Sequence, residues 1–171
     1  MSMTPRLRKF ALTAHVTSSV GWLGAVVAFL ALAVTGLTSQ DAQMVRAAYL
    51  AMELIAWFVI VPLALASLLT GLVQALGTRW GLFRHYWVLM KLLITVVAII
   101  VLLLQMEPIS YLADAAAETR LSSSALREAR ISLVAHAGGG LMVLLVPMIL
   151  SVYKPRGMTR YGQRKQHERR T

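Results

Sequence analysis

The chain has 171 residues, 58% of them hydrophobic and 14% charged, and no cysteine. Those values exclude an ordinary soluble domain, and the lack of cysteine excludes disulfides and thiolate metal or iron–sulfur sites while leaving the redox compartment open. The net charge of +10 does not point to nucleic acid, because the basic residues sit at the ends of apolar runs, where they set orientation in a bilayer.

Residues 1–9 read as a basic N-terminal tail with Arg6, Arg8 and Lys9. The apolar run at 10–37 is much longer than the roughly 7–15 residues of a signal-peptide core, so it reads as a retained first membrane helix. Thr38 to Asp41 form a short polar loop, in which Ser39 or Asp41 can cap the next helix. That second helix covers about 48–76, with a start as early as Met44, and Gly77 is a natural stop. The segment from Gly77 to Lys91 is aromatic and basic. Trp80, Phe83, Tyr86 and Trp87 suit a headgroup zone, and Arg79, Arg84 and Lys91 suit its cytoplasmic side. The third helix covers 86–106 and ends at Glu107-Pro108. A loop from Pro108 to Ser124 follows, in which Tyr111 to Glu118 favour a short surface helix. Ser122, Ser123 and Ser124 are an N-cap cluster for the fourth helix, 125–153, which Pro155 and Gly157 end. Residues 154–171 form a second basic tail, expected to be disordered.

The predicted fold is all-α: a membrane-spanning, up-down-up-down four-helix bundle over residues 10–153. Lys and Arg concentrate in the two tails and the central turn. Only Arg46, Arg120, Arg127 and Arg130 fall on the opposite side, so both termini are expected in the cytoplasm. The expected partners are the bilayer, anionic lipid headgroups at the basic tails, and other subunits in a homo- or hetero-oligomer, with no nucleic acid.

Small and polar residues mark the contact faces of helices in lipid. The faces expected inward are Ala11, His15, Ser18, Trp22, Ala25, Phe29, Leu32 and Gly36 on the first helix, and Glu53, Trp57, Ile60, Ala64, Ser67, Gly71 and Gln74 on the second. On the third they are Lys91, Thr95, Ala98, Leu102 and Gln105, and on the fourth Ser132, His136, Gly139, Val143, Val146, Leu150 and Tyr153. Pro62 and Pro147 lie near mid-membrane, each depriving the carbonyl four residues earlier of its helical donor.

Ionisable side chains at membrane depth are costly and mark candidate sites. Two polar levels emerge. An inner-leaflet site would hold His15, Lys91 and Gln74, and an outer-leaflet site Glu53, His136 and Gln105. Lys91 can instead snorkel to lipid phosphate, and His15 can be a neutral ring bonded to a neighbouring helix. Glu53 and His136 are expected to pair, since neither charge is tolerable alone in lipid. Gly138, Gly139 and Gly140 would then let the second and fourth helices approach, the alternative being a flat cofactor against that helix. Haem is the natural cofactor to consider for a His-containing bundle. His15 and His136 fall at opposite ends of antiparallel helices, about 20 Å apart in depth, so they cannot share an iron. His15 with His85 or with Met90 remains open, and no copper-type methionine cluster is evident.

Leu69-Thr70-Gly71-Leu72, Trp80-Gly81-Leu82, Tyr86-Trp87, Lys91 and Ser151 to Gly157 together resemble a family of small bacterial, largely actinobacterial, four-helix integral membrane proteins catalogued as a domain of unknown function. The resemblance implies a multi-pass protein of the bacterial cytoplasmic membrane. The His15 to Trp22 spacing is also distantly similar to copper-resistance D-type membrane domains and four-helix cytochromes b, although the full His set of the latter is lacking. The sequence therefore reads first as a non-enzymatic accessory or binding subunit. A redox protein binding haem, quinone or copper is the second reading, and a carrier of protons or small solutes is the third.

Overall fold

The computed structural model describes residues 3–77, 83, 85–118, 124–153, 157, 159, 163 and 164. They form α1 (Pro5–Thr38), α2 (Ala42–Ile55), a π turn (Ala56–Ile60), α3 (Val61–Gly77), α4 (Tyr86–Leu104), α5 (Met106–Ala117) and α6 (Ser124–Tyr153). α2, the π turn and α3 make one continuous rod. α4 and α5 run together as another, giving four rods long and apolar enough to cross a membrane. Phe10, Phe58, Leu104 and Val152 are each 70% or more exposed. An apolar surface of that extent suits lipid rather than water.

Several boundaries differ from expectation, for local reasons. α1 begins at Pro5, because Thr4 caps it and proline at the first helical position gives up no bond. Arg6, Arg8 and Lys9 are thus on a helix rather than in a tail. Asp41 caps α2, accepting from the backbone N–H of Gln43 at 2.9 Å, so the second rod starts at Ala42. The short helix expected at Tyr111 to Glu118 is present but longer and not on the surface: α5 takes up the expected loop from Met106 to Ala117, and its Ile109, Leu112, Ala113 and Ala116 are buried. Pro108 is the third residue of α5, where an N–H has no intrahelical partner in any case. Its effect falls behind it: it cannot donate to Leu104, and α4 ends there with a turn at Gln105. The central turn at 78–82 and 84, Ser122 and Ser123, and most of the C-terminal tail lie outside the described residues.

The rods form a square. α1 packs on the second rod and on α6, while the α4–α5 rod closes the other two sides. The second rod and α6 therefore stand at opposite corners. The core joins Trp22, Phe29 and Ala33 to Tyr49, Met52, Ala56, Ile60 and Ala64, with Met106 and Leu112 from the third rod and Leu133 and Ala137 from α6.

The inward face of α1 is the expected one, with Ala11, Ser18, Trp22, Phe29 and Gly36 buried. Two other faces are displaced by one residue. On the second rod Met52 and Ala56 are buried, not Glu53 and Trp57, whereas Ile60, Ala64 and Ser67 agree. The π turn accounts for this. One extra residue in a wider turn shifts the register between the rod's halves, immediately before Pro62, with the N–H of Val61 bonding the carbonyl of Ala56. On α6 the buried positions are Leu126, Leu133 and Ala137, while Ser132, His136 and Gly139 are exposed.

Candidate functional site

Two cavities occupy the two polar levels. The smaller, about 140 Å³, lies towards the end of the bundle where α1 begins and α6 ends and is lined by His15, Gln74, Trp87, Lys91 and Thr95, among others. The three residues of the expected inner site thus share one cavity. Gly71 makes room for the histidine, since a Cβ there would sit 3.0 Å from the ring's Cε1. Nδ1 of His15 is 3.1 Å from the carbonyl of Ser67, which can only accept, so Nδ1 carries the proton. Gln74 donates to the carbonyl of Ala11 at 2.9 Å, and Lys91 donates to Ser151 at 2.5 Å with its ammonium 5.7 Å from the Trp87 ring. Lys91 is therefore engaged within the protein. Neither His85, beside the start of α4, nor the exposed Met90 lines this cavity.

The larger cavity, about 390 Å³, runs from the centre of the bundle outward between α4 and α6. Trp22, Phe29, Ala56 and Ile60 form its inner wall. Val97, Val101 and Val143, each more than 40% exposed, stand at its rim. Gln105 and His136 line it, and no charged residue does. The Lys91–Ser151 bond ties α4 to α6 at one level. Gln105 is fourteen residues from Lys91 and His136 fifteen from Ser151, about 21 and 22 Å of helical rise, so the two share a level.

His136 is held from one side. Its Nδ1 donates to the carbonyl of Ser132 at 2.8 Å, one turn back on its own helix, leaving Nε2 without a partner among the described residues. The Gln105 side chain has no hydrogen bond among the described residues. The expected Glu53–His136 pair is not formed: among the described residues no hydrogen bond or ion pair joins them. Their depths are alike, but they stand on diagonal rods, and Glu53 lies one position off the buried face. The glycines do not mediate close packing either. A Cβ at Gly138, Gly139 or Gly140 would meet nothing within 4 Å, and Gly139 and Gly140 face the cavity.

Sequence reasoning missed one cluster. Nε of Arg130 donates to the Tyr49 hydroxyl at 2.8 Å, and the same guanidinium donates to the carbonyl of Gly36. Tyr49 is 2% exposed and fits because Gly36 has no side chain. This clamp joins the last turns of α1 to the first turns of α2 and α6. Tyr49 and Arg130 sit at like distances from the starts of α2 and α6, which is the sequence signal for this contact.

Among the described residues no group of three or more His, Asp or Glu side chains could hold a metal ion. Compared with protein-family models, curated proteins and solved structures, the chain matches none.

Proposed function

We propose that this is a multi-pass protein of a bacterial cytoplasmic membrane that binds a small apolar ligand between α4 and α6. The observation that carries the reading is the uncharged cavity reaching from Trp22 and Ile60 to a rim of exposed valines. A pocket that opens sideways between helices takes its ligand from the hydrocarbon, where such molecules partition. The protein would act as a binding or accessory subunit, alone or in an oligomer, with no reaction of its own. It would be oriented with both termini in the cytoplasm, and the basic first turn of α1 and the basic C-terminal segment on anionic headgroups. Membership of the small actinobacterial membrane family that the sequence resembles is part of this proposal.

Brominated hydrocarbon quenching of Trp22 tests it. In a W57F, W80F, W87F variant, Trp22 is the sole tryptophan. Quenching should saturate with ligand, and Gly140→Leu, which fills the cavity, should remove the saturable part. Quenching that rises linearly in both proteins would refute the reading.

One feature favours a second reading, a haem or quinone. Nδ1–H of His136 is held by a carbonyl, the support a ligating imidazole needs, and the glycines beside it offer a flat wall. A visible spectrum of the purified protein separates haem from the first reading.

A further inference from the structure

The polar end of the larger cavity has a definite chemistry. In the neutral ring of His136 the proton is on Nδ1, which donates it as a hydrogen bond to the Ser132 carbonyl, so Nε2 is an acceptor. Gln105, across the cavity at the same level, offers an amide donor and a carbonyl acceptor. A ligand group that both donates and accepts satisfies the pair. It donates a hydrogen bond to Nε2 and accepts one from the amide. A hydroxyl does this. An ether or ester accepts only, and a carboxylate or phosphate would enter a cavity with no cation in its lining.

The shape agrees with one polar head on an apolar body. The bond from Arg130 to the Gly36 carbonyl sets α1 and α6 at a common level. Trp22 is fourteen residues from Gly36 and His136 is six from Arg130, which puts Trp22 about 12 Å deeper than His136. Val97, Val143 and Leu144 continue the apolar wall over that length.

We propose that the ligand is a neutral apolar alcohol, its hydroxyl held between Nε2 of His136 and the Gln105 amide and its chain lying along Trp22. This rests on the binding function proposed above and names the class of ligand.

The test uses the full-length protein in nanodiscs and compares dodecanol, dodecyl methyl ether and dodecanoate by competition against the brominated quencher. Dodecanol should bind about tenfold or more tightly than the ether, since the ether leaves Nε2 unpaired. His136→Phe and Gln105→Leu should each bring the alcohol down to the ether's affinity. The wild-type comparison needs no variant to fold. Equal binding of alcohol and ether would overturn the hydroxyl assignment and leave apolar binding intact. Tighter binding of dodecanoate would overturn the neutral ligand. If none of the three competes while the quencher still saturates, the alcohol is refuted alone. If nothing saturates, the binding function falls with it.

Discussion

A methyl group added at Gly36 would lie 2.8 Å from Cζ of Tyr49, and one added at Gly139 would touch nothing. The two substitutions should therefore have opposite signs. Gly36→Ala forces the Tyr49 ring off Arg130 and should destabilise the protein by about 1–3 kcal/mol, the usual cost of overpacking. Gly139→Ala should stabilise by up to about 1 kcal/mol, because alanine is the better helix former. Heat or SDS unfolding in micelles compares them directly, and equal shifts would contradict the packing described around both. Tyr49→Phe removes the acceptor of the Arg130 Nε proton and should cost about 1 kcal/mol in the same assay. Residue identity alone could not separate these glycines. Both are small residues in apolar helices, and only the neighbouring rod decides whether a glycine is a contact or an opening.

Among the elements, the rods were legible because about 20 apolar residues in a row leave little choice of conformation. Of α5 only the second half, from Tyr111, was legible as a helix; its start was not, since Pro108 is a stop signal when it follows a helix and a tolerated residue when it begins one. His15, Gln74 and Lys91 meet in one cavity, His15 and Lys91 on rods with an unbroken register and Gln74 on the far side of the π turn, where the expected face of the second rod holds. Glu53 misled because it precedes the π turn, which shifts the register of everything on that side. The turn can be tested by deletion. Removing Val59 together with Pro62→Ala should return the rod to a plain α-helix, keep Met52 and Ala64 both inward, and leave a monodisperse protein. Removing Val27 from α1, which has no such turn, should set Trp22 and Phe29 out of register and unfold the bundle. Size-exclusion profiles of the two deletions decide the matter, and the reverse ranking would count against the π turn as the source of the shift.

For the whole molecule, helix order and rod length followed from hydropathy, but the square arrangement did not. A helix's own pattern tells which face is buried and not which neighbour it meets, so like depth, inward faces and the cost of a lone charge in lipid brought Glu53 and His136 together when they stand on opposite corners. Orientation rests on charge. Reporter fusions at residue 1 and residue 171 should both report the cytoplasm, and a fusion in the α5–α6 connection the opposite side. Moving the excess of Lys and Arg to that connection should invert the protein.

The π turn can also be described as a dislocation, an extra residue inserted in an otherwise regular lattice. A dislocation is fixed only by the packing on either side of it. Were it to glide one turn towards Ala42, each residue it passed would rotate by about 100°. Met52, now fully buried, would leave the interior, and Glu53 would enter it. The face read from the sequence is the one this rod would present in that second setting. What holds it in the first is the fit of Met52 and Ala56 in the core, and Ala56 also lines the wall of the larger cavity. The position of one surplus residue thus keeps a carboxylate out of the bundle and an apolar wall inside it.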